Sequence, residues 1–257
     1  ALWHPRVLAQ RRRPRVRGRG LTAAVWGAMC LVLLVGCGND DSVDPARQRL
    51  RTEVLTVREA LRSQPDSPIL YYQLGQIYRK YGVADSSRLA LERSVELHPA
   101  FAQAHQQLAR VYFEAGDLQS SEGAWASTAR FAPNNLETWN NLGYVRRKLG
   151  DLTGAEEAYN NALGIDATFA ETLNNLGQVY RQQARWDMAV GHFHKAMASD
   201  PTFRGAYINL ARLYKDRGDV DAERTLLTEI RDRFGRSSRE GRYASVRLEE
   251  LGTAGAG

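Results

Sequence analysis

Thiols are almost absent from this chain: its two cysteines, Cys30 and Cys37, both lie within the first 37 of 257 residues. Residues 38–257 therefore carry neither a disulfide nor a free thiol, and no cysteine and histidine cluster has zinc-ligand spacing. Stability beyond that point has to come from packing alone. Acidic residues are absent from positions 1–36, which hold seven of the 35 lysines and arginines. The remainder has 28 basic residues against 29 acids, so the basic balance belongs to the first segment. A nucleic-acid partner argued from net charge fails on that count. Histidines number only five. His192 and His194 flank Phe193, and an i, i+2 pair on a helix points to different faces, which argues against a shared metal. Gly150-Asp151-Leu152-Thr153-Gly154 lacks the Gly-Lys-Ser/Thr of a phosphate loop, and no Ser/His/Asp set or carboxylate pair stands out. The expectation is a chain without catalysis, metal or cofactor.

What the chain has instead is a period. Leu74, Leu108, Leu142, Leu176 and Leu210 stand 34 residues apart, at position 7 of units that span 68–101, 102–135, 136–169, 170–203 and 204–237. Position 4 holds Tyr71, His105, Trp139, Leu173 and Tyr207, and position 8 holds Gly75, Ala109, Gly143, Gly177 and Ala211. Position 11 is Tyr78, Tyr112, Arg146, Tyr180 and Tyr214, so positions 4, 7, 8 and 11 form one helical stripe. Positions 20, 24 and 27 define a second, with Leu91, Trp125, Tyr159, Phe193 and Leu227 at position 24. Between the stripes stand Gly82, Gly116, Gly150 and Gly218, where a helix can end in the left-handed region. Asp117, Asp151 and Asp219 follow, placed to cap the next helix, and Pro99, Pro133 and Pro201 end the second helices. Each unit is a helix pair that cannot bury its apolar face alone, but stacked pairs can. Trp125 and Trp139 read as packing residues, and His105 as a packed histidine.

These positions resemble the tetratricopeptide repeat family from Pro68 to about Ser237, without a break in register. Departures are Arg146 for tyrosine, Ala184 for the turn glycine, Ala167 and Gly235 for proline, and Glu223 for a small residue. The resemblance implies an all-α, right-handed α-solenoid of five helix pairs. A partial repeat helix over 46–67 is expected before it, from Val57, Ala60, Leu61 and Pro65. A capping helix is expected within 238–257 from Tyr243, Val246 and Leu251, followed by a disordered tail from Gly252.

The first 36 residues read as an export signal. Seven arginines precede an apolar run from Leu21 to Val35, shorter than the roughly 20 residues that span a bilayer. Leu34-Val35-Gly36-Cys37 resembles the lipobox of bacterial lipoproteins, which implies acylation of Cys37; the other reading is an ordinary signal or anchor ending by chance in Gly-Cys. Gly38, rather than aspartate, follows the cysteine. By that resemblance the address is the periplasmic face of the bacterial outer membrane, with residues 37–45 as lipidated cysteine and polar tether.

In the family, the first helix of each pair lines the concave side. Position 6 there carries Gln73, Gln107, Asn141, Asn175 and Asn209, carboxamides able to pair with both N–H and C=O of an extended peptide. Beside them run Arg110 and Arg212 at position 9, and Arg79, Arg147, Arg181 and Lys215 at position 12. A cationic row favours acidic or chain-terminal segments, since guanidinium holds a carboxylate with two parallel hydrogen bonds. The partners expected are envelope proteins or peptides, and the membrane through the N-terminal lipid, with no nucleic acid. The function expected is a non-enzymatic scaffold for assembly of pilus secretin, outer-membrane protein or peptidoglycan machinery, similar in plan to pilus pilotins. The alternative is a substrate-positioning accessory subunit of an enzyme for cytochrome maturation or glycan modification.

Overall fold

Five helices begin at the first residues of the five units: α2 (Pro68–Lys80), α4 (Ala102–Glu114), α6 (Leu136–Leu149), α8 (Ala170–Gln182) and α10 (Arg204–Arg217). Each is followed by a second helix, α3 (Ala84–Leu97), α5 (Leu118–Phe131), α7 (Leu152–Ile165), α9 (Trp186–Ser199) and α11 (Val220–Phe234). A single helix precedes them, α1 (Pro45–Ser63), and one closes the chain, α12 (Arg239–Ala254). The computed structural model describes residues 44–254, and among them every regular element is helical. The segment 1–36, Cys37 and most of the tether lie outside the described residues. No helix among the described residues is long and apolar enough to cross a membrane.

Packing is most extensive within the first four pairs, next between α11 and α12, and then between consecutive pairs. The first helices of neighbouring pairs also approach one another, as α2 does α4, α6 does α8 and α8 does α10, while the second helices have no comparable contact. The row of first helices is thus the tighter one, which places it on the inside of the curve. The fifth pair differs: α11 packs more extensively on α12 than on α10.

All five leucines of the series are buried. The position-8 to position-24 contact explains the small residues. A Cβ added to Gly143 would lie 2.8 Å from the Tyr159 ring, and one on Gly177 would lie 2.7 Å from Phe193 Cε1. Tyr159 and Phe193 are wholly buried, so neither ring can give way. At position 20, Ser87 and Ser121 donate 2.8 Å hydrogen bonds to the carbonyls of Gly75 and Ala109, tying the two helices together at the same level.

Gly82, Gly116, Gly150 and Gly218 adopt the positive φ expected of them, between 72° and 85°. Ala184, in the same place in the fourth unit, is held at φ 57°. Its turn makes the same two bonds, Ala184 N–H to Arg181 O and Arg185 N–H to Tyr180 O, as the Gly82 turn makes to Arg79 and Tyr78. A left-handed alanine costs about 1–2 kcal/mol, and glycine returns part of that gain through its freer unfolded chain. Ala184 is exposed, so no packing is lost on replacement. Ala184→Gly should therefore stabilise the protein by about 0.5–1 kcal/mol, read as a higher denaturant midpoint at unchanged slope. A lower midpoint would show the turn to be unstrained.

Two expected caps form: Asp117 accepts from Ser120 N–H at 3.1 Å and Asp151 from Gly154 N–H at 2.9 Å. Asp219 does not cap. Its carboxylate lies 2.9 Å from Arg217 Nε, a charged donor that outcompetes the helix N–H. Asn135, outside the Gly-Asp turns, caps α6 through Thr138 N–H at 3.0 Å. The missing proline at Ala167 is covered by Asp166, which accepts from the N–H and hydroxyl of Thr168 just as Asp200 does from Thr202 beside Pro201. Those contacts hold both aspartates below the usual carboxylate range. At the C-terminus, Leu251 is buried as expected but Val246 is exposed. Helix α12 also runs to Ala254, into the stretch expected to be disordered tail.

Candidate functional site: the face of the first helices

The carboxamides at position 6 divide by neighbour. Asn175 is buried and donates to Asn140 Oδ1 at 3.2 Å, and Asn209 donates to Asn174 Oδ1 at 2.8 Å. Both links span 35 residues, joining position 6 of one unit to position 5 of the unit before. Thr172 Oγ1 adds a bond to Asn140 Oδ1 at 3.0 Å, and Asn140 donates to Glu171 at 3.2 Å. Part of the asparagine row therefore latches α6 to α8 and α8 to α10. Each amide keeps capacity for a further partner, since it has two N–H groups and two acceptor lone pairs. Gln73 is exposed, and Gln107, Asn141 and Asn209 are half-buried, so four of the five stay open to solvent.

The cation row is similarly committed. Arg79 lies 3.5 Å from Glu114 and Arg181 3.4 Å from Asp216, each pairing position 12 with position 13 of the following unit. Arg110 Nη2 meets Glu137 Oε1 at 2.5 Å. Helix α12 takes the acidic role for the last pair: Arg204 pairs with Glu240 at 2.9 Å, Tyr243 lies within the field of Arg212, and Lys215 within that of Glu250. Arg147, like Arg212 and Lys215, has no carboxylate within ion-pair distance among the described residues, and it has no acid of α12 nearby to take that place; its guanidinium lies 5.4 Å from the centre of the Tyr144 ring. The buried phenol of Tyr159 sits beside it, pushed up by burial and drawn back in part by the arginine's charge. Between α2 and α4 the face hollows into a cavity of about 300 Å³ lined by Gln76, Arg79, Lys80, Gln107 and Glu114.

The outer polar contacts run on another interval. Arg146, the departure from tyrosine, bonds Glu122 at 2.9 Å, and Tyr180 donates to Glu156 at 3.0 Å. Arg247 bonds Glu223 at 2.7 Å. Each of these links spans 24 residues and ties a first helix, or α12 in its place, to the second helix before it. The Tyr180 phenol is pushed up to about 12 by burial and by Glu156, so it stays a donor. Arg146 thus replaces a tyrosine hydroxyl by a guanidinium without losing the link. Its position was legible as a departure, but its partner was not.

The histidines and tryptophans serve packing. His105 Nε2 lies 2.9 Å from Pro99 O and its ring stacks on Phe131; Trp139 Nε1 donates to Pro133 O at 2.7 Å, and Trp125 is buried. Burial lowers the pKa of His192, which packs on Tyr180, while His194 is exposed.

Family models described as tetratricopeptide repeat match residues 82–135 and 134–202. No curated protein matches the chain. Among solved structures it is similar to a crystal structure of MamA protein, at TM-score 0.61 and 19% identity over 64% of this chain and 90% of that one. It is also similar to YrrB, described as "a TPR protein with an unusual peptide-binding site", at TM-score 0.63 and 16% identity over 74% of this chain and 97% of that one. A third likeness is to the APC/C hetero-tetramer Cut9-Hcn1, at TM-score 0.53 and 18% identity, over 81% of this chain and 39% of that one. At such identities the likeness is one of fold.

Proposed function

We propose that this chain, which belongs to the tetratricopeptide repeat proteins, is a non-enzymatic adaptor whose inner face holds extended segments of bacterial envelope proteins. Cys37, acylated, holds it at the periplasmic face of the outer membrane, and the array serves assembly of an envelope complex. The observation that carries the binding reading is the continuity of the inner face. Five first helices present carboxamides at one position and cations at two others, and most of these remain reachable from solvent. Ion pairs as exposed as Arg79–Glu114 and Arg181–Asp216 contribute little to stability, so an incoming carboxylate can displace the resident acid at small cost. Extended peptide supplies the backbone groups that the spare amide capacity fits.

A photocrosslinker in place of Asn141, in cells carrying either the full chain or its Cys37→Ser variant, tests both halves. A discrete envelope protein captured by the full chain, and much less of it by Cys37→Ser as the array leaves the membrane fraction, is the expected result. Equal capture and equal fractionation would remove the lipid anchor. Capture of nothing by a folded, membrane-bound chain would remove the inner face as the binding surface.

A further inference from the structure

The acids that neutralise the inner face are missing at its centre. Position 12 pairs with an acid at position 13 of the next unit in Arg79–Glu114 and Arg181–Asp216. In the middle of the array the same place is taken by Lys148 opposite Phe113, and by Gln182 opposite Arg147. Neither Arg147 nor Lys148 has a carboxylate within ion-pair distance among the described residues. Both cations are drawn to one ring instead, Arg147 at 5.4 Å and Lys148 at 5.5 Å from the centre of Tyr144. Phe113 packs edge-on against that ring at 5.8 Å and is 37% exposed. The Arg147 Nε atom is buried with no hydrogen-bond partner, as is the Tyr159 hydroxyl behind it. Two cations and two aromatic rings therefore meet on one turn of α6 and the end of α4, whose own acid, Glu114, is turned to Arg79.

We propose that this patch is the selective subsite of the inner face, and that it takes an internal aspartate or glutamate followed by an aromatic residue in an extended peptide. The proposal rests on the peptide-binding reading above and names what that face selects. Charge complementarity decides the first half. A carboxylate between the Arg147 guanidinium and the Lys148 ammonium supplies the acid that the flanking units provide for themselves, and it gains charge-assisted hydrogen bonds from Arg147. The rings decide the second half, because Phe113 and Tyr144 offer an apolar edge and face to a neighbouring aromatic side chain. An internal residue is favoured over a chain terminus by position. Carboxamides open to solvent stand on both sides of the patch, Gln73 and Gln107 before it and Asn209 after it, so the bound chain runs on in both directions.

Four labelled ten-residue peptides of otherwise identical Ser/Gly/Thr sequence test this by fluorescence anisotropy against the full chain in detergent micelles. One carries central Glu-Phe and an amidated C-terminus; the others carry Gln-Phe amidated, Glu-Ala amidated, and Gln-Ala with a free C-terminal carboxylate. The Glu-Phe peptide should bind about tenfold tighter than either single replacement, as one charged contact or one ring contact implies. Arg147→Gln with Lys148→Gln should abolish the preference for glutamate, so that on this variant the Glu-Phe and Gln-Phe peptides bind equally. Equal binding of all four peptides would overturn the subsite and leave the groove reading standing. Preference for the free-terminus peptide would overturn the internal placement, and binding of none would overturn subsite and groove together. Circular dichroism of the double variant, expected unchanged because Lys148 is exposed and neither side chain makes an ion pair among the described residues, separates lost selectivity from lost fold.

Discussion

Replacing Arg247 by alanine is expected to destabilise the C-terminal end of the array by about 3–5 kcal/mol, because it strands a buried carboxylate. Glu223 is 1% exposed at the position where the other units carry serine or alanine. Both of its oxygens are taken by Arg247, at 2.7 and 3.2 Å, and Arg247 in turn reaches Glu250 at 2.8 Å. These contacts hold the Arg247 guanidinium firmly in its charged form. Removing both partners has a different outcome from removing one. With Glu223→Ala added, position 20 returns to the side chain found in Ala155 and Ala189, both fully buried against their neighbours. The double variant should recover most of the loss. Hydrogen exchange of α11 and α12 is the measurement, since an array need not unfold in one step. Slow exchange in Arg247→Ala, or a double variant no better than the single, would mean that the pair is ornamental.

The second large effect lies in the fourth unit. Phe193→Ala removes a wholly buried ring that fills the space left by Gly177, and such truncations cost about 3–5 kcal/mol. The space is bounded by helix backbone on the α8 side, so collapse cannot repair it. Phe193 belongs to a cluster with Leu176, Val179, Tyr207 and Leu210, which joins the fourth unit to the fifth. Denaturation followed by circular dichroism should show an earlier transition, broadened because units 4 and 5 loosen before units 1 to 3. A single sharp transition within about 1 kcal/mol of the parent would show the cavity to be filled by rearrangement.

The sequence made the repeat legible because each unit solves the same packing problem with the same kinds of residue. The starts of the first helices, the left-handed turn glycines and the buried leucines all lie at fixed positions of the 34-residue register. Contacts between units were legible only where they reuse that register. The asparagine latch was not, because it joins position 6 to position 5, and a search along one position cannot find a 35-residue link. A signal was present all the same: Asn140 and Asn174 occupy position 5 in the units immediately before Asn175 and Asn209. The charges of the inner face were legible, but their pairing was not, since whether an arginine is neutralised depends on a residue one unit further along. Glu223 was visible only as a departure from a small residue. Its partner lies beyond the last unit, on a helix that repeats none of the family positions closely enough to place Arg247 in advance.

The polar links described above, whether they span 24 or 35 residues, join near neighbours along the array, and none ties one end to the other. Such a structure carries a pulling force in series: every junction bears the whole load, and the small extensions of the junctions add. An array held at one end and bound to a partner at the other would therefore stretch before it breaks, and it would yield where the pairing is thinnest. By the packing of the fold those places are at the two ends, between α1 and α2 and between α10 and α11, not within the four regular pairs.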